Sequence, residues 1–114
     1  MSESLLERRC RPCEGGVEPL SQDAVDALLR ALHSDWQHDV SSGLISRRFE
    51  FANFSRTMAF TNAVAWVAVT EGHHPEMSLG YGYCEVAYRT SAIDGLSDND
   101  FICAARVDRI AADA

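Results

Sequence analysis

Two adjacent histidines, His73 and His74, give this sequence its clearest local signal for chemistry. They lie between a predicted helix and a predicted strand, and Pro75 stiffens the junction that follows them. Because imidazole titrates near neutral pH, two imidazoles in one cleft can donate and accept protons. Adjacent side chains diverge, and no further nitrogen or sulfur ligand is near in sequence, so we expect no metal ion here. A surface turn that carries the two histidines without a role is the alternative interpretation.

A second motif lies near the start of the chain, where Cys10 and Cys13 form a CxxC pair. Such a pair indicates zinc strongly only when a second CxxC or a spaced histidine pair follows, and the sequence has neither. The motif also does not open a helix after a strand, as a thioredoxin-like redox site would. We therefore expect a structural or incidental role for it. In a cytoplasmic protein these two cysteines, with Cys84 and Cys103, are expected to be thiols.

Composition narrows the classes of function. The 114 residues are enough for one domain, which we place at 21–114 behind an N-terminal arm, a loop or ragged segment, at 1–20. Seventeen acidic against ten basic residues give a net charge of −7, which would repel a nucleic acid. The longest apolar run, 63–69, is far shorter than the roughly 20 residues of a membrane span. The charged N-terminus lacks the apolar stretch of a signal peptide, so we expect a cytoplasmic protein without a nucleic-acid or membrane partner.

The first half of the domain is predicted to be a helix followed by a strand pair. Ser21 caps the helix, which ends at 33–35, and its apolar residues recur at spacings of three and four. Strands are predicted at 36–40 and 44–51, joined by a turn. The second strand alternates between apolar and polar residues, except that Arg47 falls on the apolar face.

The next unit repeats the order of helix, strand and strand. Asn53 caps a long predicted helix that runs to about Glu71, and Gly72 can stop it in a left-handed turn. Strands are predicted at 77–81 and 83–90. The predicted apolar stripe of the long helix consists of Phe54, Met58, Ala63, Trp66 and Val67.

A last helix is predicted to begin at Ser97, with Asp98 and Asp100 in its first turn, where the helix dipole favours acids. The order αββαββα predicts an α+β fold, a four-stranded antiparallel sheet with three helices packed on one face. Such a sheet has two edges, and an uncovered edge pairs readily with another chain. A homodimer formed through the sheet is therefore expected.

Several segments spread over nearly the whole chain resemble the pterin-4a-carbinolamine dehydratases. The CxxC-Glu-Gly-Gly run near the start is also similar to the N-terminal arm of many bacterial members. The segments that carry the resemblance are Phe51-Ala-Asn-Phe54, Phe60-x-Asn-x-Val-Ala65, Glu71-Gly-His-His-Pro-Glu76, Leu79-Gly-Tyr-Gly-Tyr83 and Gly95-Leu-Ser-Asp-Asn-Asp-Phe101.

The resemblance implies the same α+β fold, assembled as a homodimer or a dimer of dimers. It implies removal of water from a 4a-hydroxytetrahydropterin, which gives the quinonoid dihydropterin without a metal ion or a cofactor. One group must protonate the departing hydroxyl while another accepts the N5 proton. By this resemblance His73 and His74 are the catalytic pair, and Pro75, Tyr81 and Asp100 contact the substrate.

Two departures from the family pattern affect this site. Members carry an acid, usually Glu, four positions before the first histidine, where this chain has Val69. They carry a third essential histidine where this chain has Ser91. A general acid–base group contributes on the order of 10²–10⁴-fold to a rate. Its loss therefore costs about 3–5 kcal/mol of transition-state stabilisation. A water held by Ser91 could restore part of that loss.

Three functions remain open at this point. The resemblance to a branch with a degraded site, which serves as a RuBisCO assembly factor in α-carboxysomes, favours a non-catalytic, protein-binding role. RuBisCO subunits would then be partners, and the helix from Asn53 to Glu71 and a sheet edge would be the binding surfaces. The alternative is an active or weak dehydratase in pterin recycling, favoured by the surviving His73, His74 and Asp100. A transcriptional coactivator like some animal members is a third, against which the bacterial type of arm argues.

Overall fold

The computed structural model describes residues 4–12 and 18–113. Its helices and strands follow the predicted order αββαββα, so the predicted α+β class is confirmed. Two short 3₁₀ turns, Leu5–Glu7 and Ser91–Ile93, lie outside that pattern. The elements are α1 (Gln22–Leu29), β1 (Gln37–Asp39), β2 (Leu44–Glu50), α2 (Phe54–Glu71), β3 (Glu76–Leu79), β4 (Tyr83–Tyr88) and α3 (Asp98–Asp113).

The four strands form one antiparallel sheet in the order β1-β2-β4-β3. Alternate side chains of β2 and β4 are buried, and Ile45, Val86 and Tyr88 have no exposed surface. Arg47 shares this face because its Nη1 donates to Asp108 of α3 at 2.7 Å and its guanidinium lies 4.3 Å from the Phe49 ring centre. The break in the sequence alternation is therefore a partly buried ion pair between sheet and helix.

The bounds of α2 are those that its end residues predict. The Asn53 side chain accepts a hydrogen bond from the Arg56 N–H at 2.9 Å, and Gly72 ends the helix in the left-handed conformation, with φ of 66°. Because only glycine adopts that conformation without strain, this residue fixes where the chain turns after the helix.

The predicted apolar stripe of α2 is wrong for most of its members. Of the five predicted residues only Val67 is buried, whereas Phe54 and Trp66 are 47% and 68% exposed. The helix carries apolar side chains on nearly every side, so the sequence pattern alone does not select a buried face. The buried face of the helix consists of Thr57, Phe60, Thr61, Val64, Val67 and Ala68.

Other element ends differ from prediction by a few residues. The first helix ends at Leu29 rather than at 33–35, and 3₁₀-type hydrogen bonds then carry the chain to Leu32, which stays buried. The third strand ends at Leu79 because Gly80 to Gly82 form the hairpin turn, where a Cβ on Gly82 would lie 3.0 Å from the Phe51 carbonyl. The remaining strands are shorter than predicted at one or both ends.

The described part of the N-terminal arm, residues 4–12, is a loop with one 3₁₀ turn that packs against α2 and α3. Leu5 is buried in the core, and Arg8 forms an ion pair with Asp98 at 2.8 Å. The Arg106 guanidinium donates to the Arg8 carbonyl at 2.7 Å. Cys13, the second half of the CxxC motif, lies outside the described residues.

Candidate active site

His73 is held at the point where α2 ends. The left-handed Gly72 turns the chain, and the His73 N–H donates to the Ala68 carbonyl at 3.2 Å. The ring then stacks on Tyr88 of β4, with centroids 5.9 Å apart and planes 9° from parallel. Its Nε2 lies 2.6 Å from Oδ1 of Asp100. The residue is therefore fixed by a helix end, an aromatic face and a carboxylate.

Asp100 is fully buried in the first turn of α3. Its second oxygen accepts hydrogen bonds from the Thr90 hydroxyl at 2.8 Å and from the Ser97 N–H at 2.9 Å. The bond to Ser97 is that of a capping box, in which the side chain of the third helical residue returns to the backbone before the helix. The helix N-terminus also stabilises the negative charge. A buried anion with fixed orientation therefore faces His73.

The electrostatics of His73 favour its protonated form. Burial alone would lower the pKa of His73, but the hydrogen bond and charge of Asp100, with a smaller contribution from Cys10, raise it above its ordinary value. Because Nε2 is committed to Asp100, Nδ1 is the nitrogen free to exchange a proton with a ligand. The imidazole is thus poised as a proton donor near neutral pH.

A cavity of about 440 Å³ opens beside His73, within the size range of small-molecule sites. His74 and Ser91 line it with His73, so the structure brings together three positions that the sequence singled out. Ser91 begins the 3₁₀ turn after β4. A serine hydroxyl therefore stands at this wall where the family resemblance places an imidazole. Arg89 and Thr90 complete that side.

The other predicted site residues lie elsewhere or act indirectly. Asp100 reaches the cavity through His73, and Pro75 is half-buried just before β3. Tyr81 is 70% exposed, and its carbonyl accepts a hydrogen bond from Thr57 near the start of α2. Since a helix rises 1.5 Å per residue, Thr57 is about 22 Å from Gly72 at the other end of α2. Within one chain Tyr81 is therefore far from the cavity, and its substrate role stays a prediction.

Val69, the position of the family's acid, lies on the exterior of α2. Its side chain is 70% exposed and does not line the cavity. An acid at this position in a single chain would point into solvent, so its replacement leaves the geometry around His73 intact.

Sequence reasoning missed the contribution of the N-terminal arm to the cavity. Cys10 and Arg11 form part of its wall, and the Glu71 carboxylate holds the arm in place through the Cys10 N–H and Arg9 Nε, both at 2.8 Å. Burial would raise the pKa of Glu71, but these donors and the nearby Arg106 charge lower it. The Glu-Gly-His-His motif contained a signal for this contact, because its acid, Glu71, is the last residue of α2 and binds the arm.

The described residues contain neither a metal-binding cluster nor a membrane-spanning helix. In 4–12 and 18–113, no three His, Cys, Asp or Glu side chains are close enough to hold a metal ion together. Over the same ranges, no helix has both the length and the apolar character needed to cross a membrane.

Comparison with known proteins places this arrangement in a family. The sequence profile described as pterin 4 alpha carbinolamine dehydratase matches residues 18–110. The chain belongs to this dehydratase family. A relative from Nitrosomonas europaea, provisionally named a pterin-4-alpha-carbinolamine dehydratase, is 53% identical over 106 residues, 93% of this chain and 92% of the relative. A Legionella pneumophila relative with the same provisional name is 42% identical over 99% of this chain and 100% of its own.

Solved structures of family members share the fold. A transcriptional coactivator/pterin dehydratase from Brucella melitensis superposes with a TM-score of 0.78 at 30% identity, over 82% of this chain and 99% of that one. A pterin dehydratase-like protein described as a RuBisCO assembly factor in the alpha-carboxysome superposes with a TM-score of 0.61 at 26% identity, over 69% and 92%. The family therefore includes proteins of different described roles on one fold.

Proposed function

We propose that this protein binds 4a-hydroxytetrahydropterin beside His73 and catalyses its dehydration, at a rate lowered by the lack of a third imidazole. One observation carries the proposal: His73 is held by a buried carboxylate at 2.6 Å, on the wall of a cavity that it shares with His74. This contact orients the His73 imidazole and raises its pKa, as a proton donor on the cavity wall requires. Provisionally named dehydratases that are 53% and 54% identical to this chain support the same choice.

The proposed chemistry needs one proton donor and one proton acceptor. His73, whose pKa is raised, gives a proton from Nδ1 to the departing 4a hydroxyl, which leaves as water. The Asp100 carboxylate stabilises the imidazolium before the transfer and holds the ring in place. His74, exposed on the same wall, accepts the N5 proton. This assignment uses the two imidazoles that the chain retains.

Ser91 limits this reaction. Its hydroxyl can hold a water or a ligand by hydrogen bonding, but it does not exchange protons near neutral pH. Since a general acid–base group contributes on the order of 10²–10⁴-fold, we expect turnover lower by about that factor than in a member with three histidines. The protein would act in the cytoplasm, as a homodimer or dimer of dimers.

The test is the rate of 4a-carbinolamine dehydration by the wild type and by the variant His73→Ala. We expect a rate above the uncatalysed reaction, lowered on the order of 10²-fold or more in the variant. His38→Ala is the matched control, since His38 lies on β1 and does not line the cavity. An identical rate in wild type and His73→Ala would contradict the proposal.

A protein-binding role is the second candidate, and the outer face of α2 favours it. Trp66 and Val69 are 68% and 70% exposed, and their spacing of three puts them on one side of the helix. Exposed large apolar side chains of this kind are typical of interfaces, including those between copies of one chain. Because the chain resembles a RuBisCO assembly factor, RuBisCO subunits are the partner to test for this role, and the carboxysome is the corresponding location.

The two candidates separate by mutation. Trp66→Glu would abolish binding to RuBisCO subunits or to a second copy while leaving the dehydration rate within a few-fold, because Trp66 does not line the cavity. His73→Ala would lower the dehydration rate and leave that binding unchanged. Retained binding by Trp66→Glu, measured by co-elution with RuBisCO subunits, would exclude this surface.

A further inference from the structure

Two thiols from distant parts of the chain meet next to His73. Cys10 comes from the N-terminal arm and Cys103 from the second turn of α3, and their sulfur atoms are 3.4 Å apart. Both are free cysteines. Cys103 is fully buried, whereas Cys10 is partly exposed and lines the cavity. The proposed dehydration uses neither sulfur, so the pair calls for another explanation.

The approach of the two sulfurs is held by hydrogen bonds on both sides of Cys10. Its own N–H donates to the Glu71 carboxylate at 2.8 Å. The next residue, Arg11, exchanges two bonds with the Asn99 side chain: its N–H donates at 3.0 Å and its carbonyl accepts at 2.5 Å. Because Asn99 and Cys103 are one turn apart on α3, these bonds fix the arm over the buried thiol.

The surroundings of the two thiols favour reaction at Cys10 and disfavour it at Cys103. The hydrogen bond between the two sulfurs lowers the pKa of Cys10, and the His73 and Arg106 charges act in the same direction. Burial and the Glu71 charge oppose this shift. The same hydrogen bond, together with burial, raises the pKa of Cys103. A thiolate is the form that reacts with oxidants, so Cys10 is the nucleophile and is reachable from the cavity.

We propose that Cys10 and Cys103 form a peroxide-sensitive pair that closes to a disulfide beside His73. In the first step the Cys10 thiolate attacks hydrogen peroxide; an S–O bond forms, the O–O bond breaks and hydroxide leaves. The sulfur is oxidised to a sulfenic acid and the peroxide is reduced. In the second step the Cys103 sulfur displaces that hydroxyl, which leaves as water with the Cys103 proton. A small-molecule dithiol reverses the reaction and is itself oxidised to a disulfide.

Closure would change the cavity in two ways. A neutral disulfide removes the negative charge that helps to raise the pKa of His73, so that pKa falls on oxidation. The disulfide also ties the arm covalently to α3. The proposed disulfide does not rest on the proposed dehydration, because the sulfur contact is present whether or not the cavity binds a pterin.

Peptide mapping of the folded wild-type protein under non-reducing conditions tests the pairing. After brief treatment with hydrogen peroxide and alkylation, trypsin yields the peptide 10–30, with Cys10 and Cys13, and the peptide 90–106, with Cys103. We expect these two peptides to be joined, with the loss of two hydrogen atoms in mass. The joined species should form in Cys13→Ser but not in Cys10→Ser, and a dithiol should abolish it. Cys84, buried in the sheet, should react at least about 10-fold more slowly.

Three results would overturn the proposal. They are a disulfide confined to the peptide 10–30, loss of the joined species in Cys13→Ser, or oxidation only after the protein is unfolded. An NMR titration of His73 gives a separate readout: its pKa should fall on oxidation of the wild type and not respond to peroxide in Cys10→Ser, which lacks the charge that oxidation removes. An unchanged pKa in a protein shown to be oxidised would contradict the proposed effect on the cavity.

Discussion

Removal of the Asp100 carboxylate should both destabilise the fold and weaken His73 as a proton donor. This fully buried group accepts hydrogen bonds from His73 Nε2, the Thr90 hydroxyl and the Ser97 N–H at 2.6, 2.8 and 2.9 Å. A buried donor left without an acceptor costs about 1–3 kcal/mol, and the loss of one member of a buried charged pair costs about 3–5 kcal/mol. Because water can enter the space and His73 can lose its proton, the three losses do not add fully. We expect Asp100→Ala to lower the free energy of unfolding by about 3–5 kcal/mol.

The variant Asp100→Asn separates charge from packing. It keeps the volume and one acceptor oxygen, so a loss of about 1–3 kcal/mol is expected. The pKa of His73 is raised in the folded protein, so its protonation stabilises the fold fully below its unfolded pKa of about 6.5. That contribution disappears as the pH rises through the raised folded value. The deficit of Asp100→Asn should therefore be larger near pH 6 than near pH 9.

Urea unfolding at the two pH values measures these differences, and an NMR titration follows the pKa of His73 directly. We expect that pKa to fall in both variants. A loss below about 1 kcal/mol in Asp100→Ala would refute the inference that this carboxylate organises the site. An unchanged pKa of His73 in Asp100→Asn would refute the assignment of its proton to the shared hydrogen bond.

Two further predictions concern the parts that position the site. Trp36→Phe removes the indole N–H that donates to Asp108 at 2.6 Å and should lower the free energy of unfolding by about 1–2 kcal/mol, measured in urea titrations. No loss would show that Asp108 is satisfied by its other two donors, the Arg47 guanidinium and the His33 N–H. Gly72→Ala forces a side chain into the left-handed conformation at the end of α2 and should cost about 1–2 kcal/mol of the free energy of unfolding. Ala59→Gly, at an exposed position of the same helix, is the control for ordinary helix propensity. A neutral Gly72→Ala would contradict the observed φ.

Much of the fold could be predicted from the sequence because its element ends carry local signals. Asn53 and Gly72 define α2 by capping and by a left-handed turn, and both act through neighbouring atoms only. The end of α1 has no such signal. It ends at Leu29 without a glycine or proline, and the prediction overran it.

Burial and long-range contacts could not be predicted in the same way. The apolar face of α2 depends on which side the sheet covers, and a helix that is apolar on most sides does not specify it. Arg47 is explained only by Asp108, which lies 61 residues away in the chain.

The candidate site shows the same difference between local features, which the sequence reveals, and long-range contacts, which it does not. The adjacency of His73 and His74 is visible in the sequence, but the contact of His73 with Asp100 joins positions 27 apart, one just after the end of α2 and one in α3. The family resemblance selected Asp100 without showing what it holds. The sulfur pair depends on an arm whose sequence has no periodicity, so only its packing against α3 brings Cys10 to Cys103.

We regard the cavity beside His73 as a pterin site whose proton transfer is limited by Ser91. The most direct test is the 4a-carbinolamine dehydration rate of the wild type beside Ser91→His, with Ser91→Ala as the matched control. We predict measurable turnover in the wild type, a gain on the order of 10²-fold or more in Ser91→His, and a rate within a few-fold of the wild type in Ser91→Ala. Background rates in the wild type together with no gain in Ser91→His would contradict the claim and leave protein binding as the function to pursue.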